Sequence, residues 1–168
     1  MRKLIKQIFC VFWVLCFILS CGYNFAGMGK IPGGVKTICV TMLKNNTNET
    51  GLERIITNSI VNEFSRNGVP MTKDPARADG ILSGSVASVY TTTIARSSAN
   101  TSSERSVYIK LDMKLMNSKG KLLWTRSGIE DNEAYQAGLN EDRQKKKAIN
   151  DLVKRLSRTF YQRLTDDF

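Results

Sequence analysis

Between residues 107 and 115 apolar and polar side chains alternate without a break. Val107, Ile109, Leu111, Met113 and Leu115 fall on one face of a strand, and Tyr108, Lys110, Asp112 and Lys114 fall on the other. Such alternation predicts a strand with one face on a core and the other in water. Two further β-rich stretches precede it: Val35–Leu43, apolar on both faces, and Gly80–Ala95, dense in Val, Ile, Thr and Tyr, with Gly84 as a candidate bulge. The polar stretch from Arg96 to Arg105 predicts a mobile tip joining two antiparallel strands. Asn117-Ser118-Lys119-Gly120 predicts a hairpin turn, with a last strand starting at Leu122.

Two stretches carry the helical period instead. Leu52, Ile55, Ile56, Ile60 and Phe64 form one stripe, opened by Thr50-Gly51-Leu52-Glu53 as a capping box and closed by Gly68 and Pro70. Ile149, Leu152, Val153, Leu156, Phe160 and Leu164 form the second stripe, with Asn140 as the N-cap and Glu130-Asp131-Asn132-Glu133 as turn residues leading to it. The expected fold is α+β: two helices packed on one face of a four-stranded mixed sheet, in the order β-α-β-β-β-α. A right-handed crossover makes the first two strands parallel if they are neighbours, and the last three form an antiparallel meander. A single domain over residues 35–168 accounts for all of these elements.

The N-terminus follows a different pattern. Arg2, Lys3 and Lys6 precede an apolar run from Ile8 to Leu19, which predicts a signal peptide over residues 1–20. That run is shorter than the roughly 20 apolar residues a membrane-spanning helix needs. Ile18-Leu19-Ser20-Cys21 resembles the bacterial lipobox, so Cys21 is the expected lipid anchor, S-diacylglycerylated and N-acylated. More than one acyl chain makes such anchoring stable. Residues 21–34, with their glycines and Pro32, read as a flexible tether.

Charge and composition narrow the function. The chain carries net charge +10, and its signal segment accounts for three of those positive charges. For an exported basic domain the candidate partners are anionic lipid or lipopolysaccharide, not nucleic acid. Cys10 and Cys16 leave with the signal peptide, and Ile38-Cys39-Val40 reads as a buried strand thiol. With no histidine in the chain, the commonest general base and transition-metal ligand are missing. No catalytic site, metal site or cofactor is expected. An anchored hydrolase would have to use Glu130, Asp131 and Glu133, the one dense acidic cluster, and these read as turn residues. Lys145-Lys146-Lys147 reads as a solvated helix surface before an anion patch, and the sequons at Asn45 and Asn48 as turn and cap residues.

Several blocks, taken in order, carry a family resemblance. They are Cys21-Gly22-Tyr23, Ile38–Leu43 running into Asn45–Glu53, and Asn62-Glu63-Phe64. Gly84-Ser85-Val86, Glu104–Tyr108, Leu123-Trp124, Asp131–Tyr135 and Arg163–Phe168 follow. Together they resemble LptE, the lipopolysaccharide-assembly lipoproteins of the Gram-negative outer membrane; Thr41 stands where members often have proline. The resemblance implies two helices on a four-stranded sheet and an outer-membrane, lipid-anchored protein with no enzymatic activity. It also implies a plug and assembly partner of an LptD-type β-barrel that binds lipopolysaccharide. Arg96 matches a basic binding position near a strand tip. A second such position falls near the uncharged Leu139, where Arg105 or Arg143 substitutes. The alternative from another class is a lipoprotein adaptor, such as a TolB-like interaction domain, in a different envelope complex.

Overall fold

The computed structural model describes residues 30–96 and 103–166. The signal segment, Cys21 and the tether up to Gly29 lie outside the described residues, as do 97–102 of the strand tip. The elements are β1 (Ile38–Val40), β2 (Lys44–Asn45), α1 (Leu52–Arg66), β3 (Gly80–Arg96), β4 (Ser103–Asn117), β5 (Leu122–Ala137) and α2 (Glu141–Asp166), with single 3-10 turns at Pro32–Gly34 and Pro75–Arg77. The sheet order is β1-β3-β4-β5, with β2 also pairing β3. β1 and β2 lie parallel to β3, and β3, β4 and β5 form the expected antiparallel meander. Both helices cover one face of this mixed sheet, so the α+β architecture is as expected.

The first strand differs from its expectation. Val35–Leu43 does not run as one strand but breaks after Val40, and pairing resumes only at Lys44. In the break the Thr41 amide donates to the Leu82 carbonyl at 2.9 Å. The Leu43 side chain turns into the core, 2 % exposed, while its amide donates to Thr57 Oγ1 at 3.1 Å. Burying Leu43 toward α1 pulls the backbone off the sheet edge. The packed domain also starts earlier than Val35, since Pro32 is buried and Ile31 packs against the core.

Four local expectations are corrected. No capping box opens α1: Gly51 is itself the N-cap, at φ 86°, so Thr50 falls one position too early to cap. The Glu53 carboxylate instead accepts from Asn45 Nδ2 at 2.9 Å. Gly84 is not a bulge. A Cβ there would sit 2.3 Å from the Asp112 carbonyl oxygen, so the glycine permits close approach of β3 to β4, and the register shifts come between Val86 and Ser88 and between Thr93 and Ala95. Glu130–Glu133 is not a turn but lies within β5. Ile55, assigned to the apolar stripe, is 38 % exposed, and the buried face of α1 is Leu52, Ile56, Thr57, Ile60 and Phe64.

The core lies between helices and sheet. Val107, Ile109, Leu111 and Leu115 of β4 are fully buried beneath α2, whose stripe is Ile149, Leu152, Val153, Leu156, Phe160 and Leu164. The helices meet through aromatic rings: Phe64 lies 6.1 Å from Phe160 and edge-on to Tyr161 at 5.1 Å. Trp124 of β5 stands edge-on to Phe160 at 5.8 Å, tying sheet to helix. Cys39 is buried, and desolvation, with the nearby Asp74 charge, raises its thiol pKa.

Candidate functional site: the open sheet face and the basic end

No helix covers the second face of the sheet. The antiparallel register sets its rows: Tyr90 opposite Tyr108 opposite Asn132, Ser88 opposite Lys110 opposite Glu130, and Ser83 opposite Lys114 opposite Thr125. All carry polar groups, which suits a face that stays in water or meets a polar partner. The Tyr90 and Tyr108 rings stack at 4.7 Å with planes 2° apart. That separation matches the spacing of neighbouring strands, so the rings stand upright across the β3–β4 pair. The Tyr90 hydroxyl donates to Glu130 Oε1 at 3.0 Å. Desolvation, then that bond to a carboxylate, raises the Tyr90 pKa. Asn132 Nδ2 donates to the buried Ser106 Oγ at 2.9 Å, and the Gly128 amide donates to Asp112 Oδ1 at 2.8 Å. Gly128, at φ 71°, takes the left-handed conformation at the register shift of β5.

The acidic cluster is split by the pleat of β5. Glu130 belongs to the open face, whereas Asp131 and Glu133 lie opposite the buried Ile109 and Val107, on the helix side. There Arg155 of α2 closes on both, with Nε 2.7 Å from Asp131 Oδ2 and Nη1 2.6 Å from Glu133 Oε2. The same guanidinium donates to the Asn132 carbonyl. Bonds to the two carboxylates raise the Arg155 pKa and keep it charged. These acids fasten α2 to β5. Among the described residues, no group of three or more His, Cys, Asp or Glu is placed to hold a metal ion.

The three candidate arginines fall at one end of the domain. Arg96 ends β3, its backbone opposite Ser103 of β4, and Ser103 in turn lies opposite Ala137 of β5. Arg105 is not in the tip loop but in β4, and its Nη1 bonds Glu141 in the first turn of α2. Tyr135 also donates to Glu141, at 3.4 Å. Arg105 Nε is buried and has no partner among the described residues. Arg143 is exposed on the same first turn of α2. Two apolar side chains stand exposed at this end, Ile94 at 50 % and Leu139 fully. Within the lysine run, Lys145 pairs with Glu49 at 2.8 Å, while Lys146 and Lys147 are exposed. The sequence reading missed the tyrosine stack and the Arg155 clasp. Tyrosines at facing positions of two predicted strands could have signalled the first; the second needed the register of β5.

Among solved structures the fold is similar to that of a minor lipoprotein from Acinetobacter baumannii. The TM-score is 0.55 at 11 % identity, covering 79 % of this chain and 94 % of the other. It is also similar to rare lipoprotein B from Shewanella oneidensis, with TM-score 0.51, 12 % identity, and 78 % and 95 % of the two chains covered. The protein CT253 from Chlamydia trachomatis shares it at TM-score 0.53 and 9 % identity, covering 77 % of this chain and 95 % of the other. At such identities these likenesses speak for the fold alone. No curated protein sequence matches the chain. The family profile described as lipopolysaccharide-assembly, LptE, matches residues 35–164, and the chain belongs to that family.

Proposed function

We propose that this protein is a lipid-anchored component of the outer-membrane lipopolysaccharide machinery, held at Cys21, and that it plugs and helps assemble an LptD-type β-barrel. The observation that carries the proposal is the uncovered, polar sheet face of a domain in the LptE family. Large outer-membrane barrels have polar lumens, so a plug must present polar groups to the wall. The rows led by Tyr90, Ser88 and Ser83 do so over the length of the meander. No described helix is long and apolar enough to cross a membrane. The work proposed is binding and assembly rather than catalysis.

Lipopolysaccharide binding is proposed at the end bearing Arg96, Arg105 and Arg143. Basic groups beside exposed Ile94 and Leu139 suit an amphiphile that offers both phosphates and acyl chains. The Arg105–Glu141 bond supports a particular role for Arg105, that of a pre-oriented guanidinium with Nε still to be satisfied. The proposal is tested by isolating the full-length protein from envelope membranes in mild detergent. It predicts recovery with a large outer-membrane barrel and with lipopolysaccharide. The Cys21→Ala variant should lose labelled fatty acid, and the Arg96→Glu/Arg143→Glu variant should keep the barrel while retaining less lipopolysaccharide. Recovery with a different envelope complex and no barrel would support the adaptor alternative.

A further inference from the structure

At the end of the open face away from Arg105 and Arg143, a cavity of about 300 Å³ opens, with Met42, Lys44, Ser83, Ser85, Asp112 and Lys114 in its lining. It exists because the edge strand is interrupted. Between Val40 and Lys44 the chain pairs with β3 only through Thr41, whose amide and hydroxyl both donate to the Leu82 carbonyl. Leu43 then leaves for the core, and the side of β3 facing this gap is left as a notch.

The lining has the chemistry of an oxyanion site. Lys44 from β2 and Lys114 from β4 are both exposed, and neither has an ion-pair partner among the described residues. Glu141, Glu49, Asp151, Asp131 and Glu133 pair elsewhere, with Arg105, Lys145, Lys154 and Arg155. Ser83 Oγ is buried in the wall and has no hydrogen-bond partner among the described residues. An unmade hydrogen bond of that kind is uncommon, and a bound water or ion is one way to satisfy it. Asp112 is the one acid in the lining, and its Oδ1 is occupied by the Gly128 amide. Two lysines thus outweigh one partly engaged carboxylate. Met42, 58 % exposed at the rim, adds an apolar lip for carbon attached to the anion.

We infer that the notch between β1 and β2 binds a phosphate-type oxyanion, with Lys44 and Lys114 supplying charge and the Ser83 hydroxyl donating a hydrogen bond. The anion can come from free phosphate or from a phosphorylated lipid headgroup, since both offer the same oxygens. This site lies at one end of the face proposed to meet the barrel wall and apart from the arginines at the far end. Its binding is measured without the barrel, so its failure and the failure of the proposed function are distinguishable.

The test uses the full-length lipoprotein in micelles of uncharged detergent. Amide resonances of Ser83, Ser85, Asp112 and Lys114 are followed as inorganic phosphate, or phosphatidylglycerol in the micelle, is added at constant ionic strength. Saturable shifts with phosphate assign the site to the free oxyanion. Saturation with phosphatidylglycerol alone assigns it to the headgroup, and either result upholds the site. Lys44→Gln/Lys114→Gln should weaken binding about tenfold or more, and Ser83→Ala by a smaller factor. The control Lys36→Gln/Lys121→Gln, with the same change in net charge on exposed lysines elsewhere, should bind as the wild type does. Absence of saturable shifts with either probe would overturn the inference. So would equal weakening by the two double variants, which would reduce the effect to net charge.

Discussion

The two faces of β4 come from the same residues in alternation, yet they meet different surroundings. On the helix side Val107, Ile109, Leu111 and Leu115 are fully buried under α2, and shape decides what fits. On the other side Tyr108, Lys110 and Asp112 stay half-buried and Lys114 is exposed, with Tyr108 stacked on Tyr90 and Asp112 bonded by the Gly128 amide. One strand therefore serves as foundation on one face and as display on the other. The fold can tolerate change on the display side, and that is where a partner can be accommodated without loss of the core.

The contrast is broken most directly by neighbouring substitutions on β4. Leu111→Ala leaves a cavity in the core and should cost about 2–5 kcal/mol in urea unfolding. Lys110→Ala, one residue away, should change stability by about 0.5 kcal/mol or less. Similar losses for the two would mean that the open face is as tightly packed as the helix side.

A smaller effect sharpens the boundary between the faces. Arg155 fastens α2 over Asp131 and Glu133 and is itself partly exposed, so solvent weakens each ion pair. Arg155→Met should cost about 1 kcal/mol at neutral pH. Because salt screens such exposed pairs, the deficit relative to wild type should shrink as ionic strength rises, measured by unfolding at several salt concentrations.

The smallest effect is at the start of α1. The Glu53 carboxyl pKa is lowered by the helix backbone amides, its own first, and by Asn45. A lowered folded-state pKa gives stability that is present above the unfolded value, near 4.5, and lost as pH falls through the folded value. Acidification should therefore weaken the start of α1 in wild type and have less effect in Glu53→Gln. The difference can be read from amide exchange over residues 52–56.

Much of this division was legible in the chain. Strict alternation from Val107 to Leu115 assigned both faces of β4 correctly, because a period of two leaves each side chain one place to go. The stripe of α2 was equally plain. Context defeated the reading elsewhere. Glu130–Glu133 looks like a turn by composition, and Arg155, more than twenty residues away, pairs the two acids that face the core side of the strand. Val35–Leu43 looks like one strand because every residue suits a strand. The break at Leu43 is set by its packing on α1, which local propensity does not contain. Arg105 reads as a loop residue from its polar neighbours, whereas pairing with Thr93 holds it in β4. The arginine end was legible as basic chemistry, and the lysine notch was not, because the notch arises from the break.

The central claim is that the open face meets the wall of a barrel. A photo-crosslinker at position 110, in cells carrying the full-length protein and its envelope intact, tests it most directly. Lys110 lies in the middle of the open face, opposite Ser88 and Glu130, and its replacement leaves the core untouched. The account predicts one dominant adduct, to a lumen-facing strand of an outer-membrane β-barrel. Adducts confined to periplasmic proteins, with the barrel present at its normal level, would contradict it.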